Sequence, residues 1–357
     1  MKKKYNFIDL WDLETEKIEK KNLHKSLIKG YELRTEQLKY KYNKSSNNKT
    51  TINKFRDFAN EPANKINPEC FVKKVKKIFE KEKKVKIIVK DIDQLKKENL
   101  NLIISVDKNN AKMLICEYLI DNIKPIILVG KGVTYDTGGY SIKDFENMSG
   151  MHLDKIGGCM CLYILEKIIK EKIKKSIVVC IPLVENTISN NSTKPGDIIQ
   201  SYSKINVEIL DTDAEGRLII ADCLSYCSDK YKFKYIIDMG TFTFIRNCYI
   251  SYTYFTLNNL LKNKIEKEAK KFSEKITRQE VILEYLELTK SKKSDIANAV
   301  NTCKYNDELL ISYFLLNFIK KKYYKKWLHI NLPMHTITKD YAILEGSESI
   351  YNFIKSL

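Results

Sequence analysis

The chain has 357 residues, 43% of them hydrophobic, and its 63 Lys and Arg outweigh 45 Asp and Glu to give a formal net charge of +18. That length and apolar content suit one large or two ordinary domains with a substantial core, while runs such as PIILVG (125 to 130) fall far short of the roughly 20 residues that span a bilayer. The opening MKKKYNFIDLWDLETEK has no signal-type apolar run, the nine cysteines form no CxxC pair, and lysines are scattered rather than clustered, so we expect a cytoplasmic protein without a membrane partner, disulfide framework, cysteine zinc site or nucleic-acid partner.

In chain order, residues 1–51 read as a short lysine-rich N-terminal remnant or linker, closed by the low-complexity stretch NKSSNNKT (43 to 50). Residues 52–357 read as a second unit, in which short Ile- and Val-rich runs alternate with amphipathic ones. The basic run KKVKKIFEKEKKVK (73 to 86) carries glutamates at helical spacing and reads as a solvated helix face. Strands are predicted at VKIIV (85 to 89), LIISV (102 to 106), MLICEYL (113 to 119), PIILVG, SIVVCIP (176 to 182), NVEIL (206 to 210), YIIDM (235 to 239) and WLHINL (327 to 332). Helical patterns cover 157 to 172, 214 to 229 and a long stretch from about 257 to 288. The alternation predicts an α/β sheet with helices on both faces, whose chemistry sits on loops beyond the carboxyl ends of the strands.

Two segments are dense in reactive side chains. VGKGVTYDTGGYSIK (129 to 143) places Lys131, Asp136 and Lys143 among four of the chain's twelve glycines, a density that suggests close backbone approach. It fits neither GxxxxGK[ST] nor GxGxxG, since Tyr135 stands at the third glycine position, and no GxSxG elbow occurs. Asp154 follows in MHLDKIGG, just before a helix. DTDAEGRL (211 to 218) joins the strand NVEIL to a helix, so Asp211, Asp213 and Glu215 occupy a turn. One acid there reads as capping, with Asp213 the N-cap and Glu215 in the first turn. Three crowded carboxylates repel one another unless a cation, either a metal or a lysine, sits among them. With only His24, His152, His329 and His335 and no HExxH, a metal would be held mostly by oxygen, and His152 reads as a packed or hydrogen-bonded residue.

In order and spacing, GKGVTYDTGGYSIK, Met151-x-x-Asp154 and DTDAEGRL resemble the leucine aminopeptidase family (the M17 cytosol aminopeptidases). The resemblance runs from FRDFANEPANKINPE (55 to 69) through VENTISNNSTKPGDII (184 to 199) to SDIANAV (294 to 300) and WLHINLP (327 to 333). It implies a mixed sheet flanked by helices on both faces, a dinuclear-metal aminopeptidase catalytic domain over 52–357, and a largely absent family N-terminal domain. It also implies two divalent ions per subunit, Zn or Mn foremost and Co or Mg as alternatives. Asp136 and Glu215 would bridge the ions, with Lys131 and Asp154 completing one shell and Asp213 the other. About 3.5 to 4 Å apart, such ions share a water and lower its pKa. By the same resemblance Lys143 polarises the scissile carbonyl, Arg217 holds a bicarbonate, and Met151, Thr241, Phe242 and Phe244 bind the substrate. Peptides are the expected partners, and a homo-hexamer the expected assembly.

The departures are local. Asp211 replaces the usual Asn of the signature, and Lys155 stands where Met usually follows the ligand. GTFTF (240 to 244) replaces Ala-Thr-Leu-Thr-Gly, Asn331 replaces an acid, and NTCKYNDE (301 to 308) replaces a glycine-rich loop. A ring at Phe244 in place of glycine implies a preference for small N-terminal residues over Leu, unless that ring turns into the core. The rival reading is a weak or inactive homologue acting as a binding protein, with nucleic acid as one candidate partner. Lys143 and Arg217, which a purely structural metal would not need, favour the enzyme.

Overall fold

Two helices lead into the sheet, α1 (Thr51–Asn60) and α2 (Pro68–Ile78). The second starts where Asn67 caps the amide of Cys70 at 2.8 Å and Pro68 fits the first turn. The structure, a computed structural model, describes residues 50–243, 250–300, 305–333, 342 and 344–357. The short stretch 1–49, including NKSSNNK, lies outside the described residues.

The strands are β1 (Val85–Lys90), β2 (Lys112–Tyr118), β3 (Ile126–Gly130), β4 (Gly132–Asp136), β5 (Ile177–Asn186), β6 (Ile198–Gln200), β7 (Asn206–Glu208), β8 (Tyr235–Gly240), β9 (Tyr252–Phe255), β10 (Ile276–Arg278), β11 (Ile296–Ala297) and β12 (Trp327–Asn331). Nine of them form one mixed sheet in the order β1-β2-β5-β3-β8-β12-β9-β10, with β4 beside β5. Its centre, β5-β3-β8-β12, is parallel, and both flanks include antiparallel pairs. A small second sheet, β11-β7-β6, lies apart from it in pairing.

Period-two alternation divides the core between the two faces. Leu128, Val179, Ile237 and Ile330 pack with α1, α2 and α6 (Ile156–Lys170) on one side. Ile127, Val129, Val178 and Ile236 pack with α7 (Glu215–Lys230) and α10 (Asp307–Leu316) on the other. The parallel strands finish together, with Gly130 opposite Met239 and Gly240 opposite Asn331, so their carboxyl ends share one edge.

Three predicted elements come out differently. LIISV lies in helix α4 (Asn101–Val106), not in a strand. Asp222, reaching over from α7, accepts from the amides of Leu102 at 2.8 Å and Ile103 at 3.4 Å and so satisfies the start of that helix. An uninterrupted apolar run does not distinguish the two outcomes. The stretch 257 to 288 breaks into α8 (Asn259–Lys271), β10 and α9 (Glu284–Leu288), because Ser273 turns left-handed at φ 56° and the chain then pairs with β9. NVEIL is a strand over three residues only, and it joins the small sheet. Ahead of α4 lies α3 (Ile92–Lys97), opened by an Asp91–Gln94 capping box, and a single turn, α5 (Phe145–Met148), precedes α6.

Candidate metal centre

Gly130 ends β3 and Gly132 begins β4, leaving Lys131 at the break. Its amide donates to Met239 O at 3.0 Å and its carbonyl accepts from Gly158 N at 2.8 Å, which clamps it between β8 and α6. The side chain fits because three neighbours lack a Cβ. One added at Gly216 would lie 2.5 Å from Lys131 Cε, one at Gly240 2.5 Å from its Cβ, and one at Gly157 2.8 Å from its N. Lys131 is thus only 4% exposed.

Its ammonium lies 2.6 Å from Asp154 Oδ2 and 2.8 Å from Glu215 Oε1, and donates to Thr241 O at 2.7 Å. Thr241 also donates its hydroxyl to Asp154 Oδ1, so one residue fixes both partners. Asp136, at the end of β4, accepts at Oδ1 from Gly138 N (2.9 Å) and Asn186 Nδ2 (2.8 Å), and its Oδ2 faces Lys143 Nζ at 3.1 Å. Lys143 pairs with Asp213 as well. Asn186 Nδ2 also approaches Thr212 O at 3.0 Å and Glu215 Oε2 at 3.4 Å, tying β5 to the DTDAEGRL turn.

That turn is not capped as its sequence suggests. Ala214 is the N-cap of α7 and offers no side-chain bond, while Asp213 is turned to Lys143 and Glu215 is the first helical residue. Asp211, the departure from Asn, accepts from Asp213 N at 2.8 Å and so bonds the backbone. Asn298, just past β11, holds the same turn by accepting from Leu210 N (2.8 Å) and donating to Asp211 O (2.6 Å).

Four carboxylates here face two ammonium groups, leaving excess negative charge. Burial, partly offset by Lys131, pushes the Asp154 carboxyl up to about 6. Burial together with Asp136 pushes Asp213 to about 6 and Glu215 well above the usual range. Burial opposes charge on Lys131, but Asp154, Glu215 and Asp136 outweigh it and raise its pKa. Asp136, Asp154 and Glu215 each present an oxygen within 4.8 Å of the others. Asp154 Oδ2, Asp213 Oδ1 and Glu215 Oε1 are buried and accept no hydrogen bond, although a lysine lies within ion-pair distance of each. An oxygen-dominated donor set with unsatisfied buried acceptors and surplus negative charge fits divalent cations.

The other predicted residues surround this cluster. Met151 is buried in the short 3-10 turn Met151–Leu153 that leads to Asp154. Phe242 is half-buried, its ring centroid 5.9 Å from Lys131 Nζ and 4.9 Å from that of His329. His329 is itself paired with Asp238 at 2.6 Å. Asn331 accepts from Phe242 N at 3.1 Å and donates to Thr243 O at 3.4 Å; an acid there could not make the second bond. Lys155 points away from the carboxylates and donates to Glu61 O at 2.9 Å and to His152 O. Arg217 donates to Asn298 O at 2.7 Å and Asp307 Oδ1 at 3.0 Å. Phe244 lies outside the described residues.

Sequence reasoning assigned no role to Asn186, Thr212, Asn298 or Asp307. Asn186 carried a signal, a polar residue closing a ten-residue apolar strand at its carboxyl end. Thr212 lies inside the signature itself, accepting from Ser141 N at 2.8 Å and donating to Gly138 O at 2.7 Å.

The family profile described as "Cytosol aminopeptidase family, catalytic domain" matches residues 53–347. A probable cytosol aminopeptidase of Rickettsia canadensis (strain McKiel) is 32% identical over 286 residues, covering 78% of this chain and 56% of the relative. One from Phytoplasma mali (strain AT) is 32% identical over 290 residues, covering 79% and 57%. The chain thus spans little more than half the length of these relatives. Among solved structures, the leucine aminopeptidase of Caenorhabditis elegans superposes with a TM-score of 0.79 at 25% identity, over 86% of this chain and 64% of that one. The bottromycin maturation enzyme BotP in complex with Mn shares the fold, with a TM-score of 0.79 at 20% identity over 86% and 70%. With most of its length matched by one family profile, the chain belongs to the cytosol aminopeptidase family and carries its catalytic domain.

Proposed function

We propose that this chain is a metal-dependent aminopeptidase that hydrolyses the N-terminal residue from peptides. The observation that carries the reading is the Lys131 cradle, in which buried oxygens of Asp136, Asp154 and Glu215 converge within 4.8 Å of one another at the carboxyl edge of a parallel sheet. Lys131, Asp136, Asp154, Asp213 and Glu215 are the residues that would hold two divalent ions. Zn or Mn is favoured, with Co or Mg as alternatives. When bound, such ions supply Lewis acidity and activate a water held between them.

The remaining steps belong to the chain's own groups. Lys131 Nζ must shed a proton to serve as a ligand. Lys143, held by Asp136 and Asp213, stays charged and donates to the scissile carbonyl oxygen as negative charge builds on it. Thr241 keeps Asp154 and Lys131 in place. Met151, Phe242 and Phe244 would line the pocket for the first side chain, and the ring at Phe244 would favour Ala or Gly over Leu. Arg217 is where the family resemblance sets a bicarbonate. We further assign a cytoplasmic location and a homo-hexamer by the same resemblance; among the described residues no helix is long and apolar enough to cross a membrane. A binding-protein role has less support, because Lys143 is engaged with two of the carboxylates.

The test is hydrolysis of a panel of amino-acid amides by protein loaded separately with Zn, Mn, Co or Mg, with light scattering alongside. Metal-dependent release of N-terminal residues, fastest for Ala or Gly, is expected. Stoichiometric metal binding without turnover of any amide would overturn the enzyme reading, and a stable active monomer would overturn the hexamer.

A further inference from the structure

Arg217, the third residue of α7, lies two positions past Glu215 and has a side chain only 5% exposed. A guanidinium so placed needs a counter-charge. The structure supplies it from the chain itself, since Nη2 donates to Asp307 Oδ1 at 3.0 Å while Nη1 is taken by Asn298 O at 2.7 Å. Asp307 is the first residue of α10, where the helix terminus favours a negative side chain. Its carboxylate also accepts from Thr243, beside Thr241 and Phe242 on the proposed substrate side. Burial raises the Asp307 carboxyl, but Arg217 outweighs it and keeps the group ionised below the usual range. The Asp307 side chain is nevertheless 47% exposed, so the pair reaches the protein surface.

We propose that Asp307 is the resident anion of Arg217, taking the place of any free oxyanion and making this protein's reaction independent of bicarbonate. A small anion pairing with Nη2 would have to expel Asp307 and leave that carboxylate without its cation. A carboxylate tethered to the same chain and held at a helix start loses no translational freedom on pairing, which a dissolved ion does. The substitution is local to the segment NTCKYNDE, the stretch that departs from the glycine-rich loop of the resemblance. Asp307 acts as a positioning residue, fixing Arg217 against the Thr241–Thr243 segment.

The inference rests on the proposed function for its kinetic arm only, so a second arm measures anion binding directly. Wild-type protein titrated with 13C-bicarbonate should give no saturable line shift, and its kcat/KM should be the same in degassed and bicarbonate-supplemented buffer. Asp307→Ala should bind bicarbonate or formate saturably, and Arg217→Met/Asp307→Ala should not. In Asp307→Ala, kcat/KM should fall about ten- to a hundredfold, as when a supporting partner is lost, and formate or bicarbonate, but not chloride, should restore it. Saturable bicarbonate binding by the wild type, stimulation of its turnover by bicarbonate, or an Asp307→Ala protein that folds yet binds no anion would overturn the proposal. Should that variant fail to fold, the wild-type titration still decides. Absence of amide hydrolysis in every protein would count against the enzyme reading alone.

Discussion

The cradle around Lys131 and the rim around Arg217 and Phe242 are built on different principles. In the cradle, position is set by backbone: a strand break, and glycines 157, 216 and 240, whose Cβ atoms would collide with Lys131. In the rim, position is set by side chains that can be exchanged singly, such as Asn331 holding Phe242 and Thr243, or Asp307 holding Arg217. The proposed ligands all match the family signature and fall in the cradle, where Asp211 and Lys155 are the departures; in the rim Arg217 matches, while Phe242, Asn331 and the segment leading into α10 depart. A site of this construction keeps its chemistry while its approaches vary.

The sharpest way to break that contrast is Glu215→Ala. It removes a carboxylate proposed as a metal ligand, so metal affinity should fall by more than the roughly hundredfold that loss of a supporting partner costs, and turnover should go with it. Elemental analysis after dialysis checks this, and an unchanged metal content would place the metal elsewhere. Lys143→Ala should leave metal content near wild type while kcat drops about a hundredfold or more, as for one lost oxyanion donor. If its metal content falls instead, Lys143 is holding the carboxylates in register and not acting on substrate.

Gly216→Ala replaces no proposed ligand, yet its Cβ would lie 2.5 Å from Lys131 Cε. Overpacking of this kind costs about 1 to 3 kcal/mol, read by urea denaturation, and should weaken metal binding by displacing Lys131. A neutral outcome would mean that the cradle is softer than its geometry. Phe242→Leu belongs to the rim and should cost only about 1 kcal/mol, with metal content unchanged and effects confined to the relative kcat/KM of Ala and Leu amides. Loss of metal in that variant would erase the distinction between the two regions.

Crowding of acids in compact segments pointed to a cation, with Lys131, Asp136 and Lys143 in one loop and Asp213 and Glu215 in another, while the full set with Asp154 came from the family resemblance. Their clustering in sequence mirrors a real crowding of charge. What sequence reading missed comes from distant chain. Asp222 caps a helix that begins 121 positions earlier at Asn101 and so makes LIISV helical, against a periodicity that fits a strand equally well. Asp307 and Asn298 reach Arg217 across 90 and 81 positions, and neither has a local pattern that announces it. The long predicted helix failed on one left-handed residue, Ser273, where no glycine marks the turn.

The Lys155 amine, one residue past Asp154, is moored to the carbonyl of Glu61, at the end of α1, and Lys54 of that helix pairs with Glu166 of α6. The first described helix is therefore a hawser for the metal loop. In grafting this catalytic unit onto another protein, a junction placed before Thr51 leaves that line taut, whereas one cut between Thr51 and Glu61 would let Asp154 drift from the cradle although every proposed ligand remained.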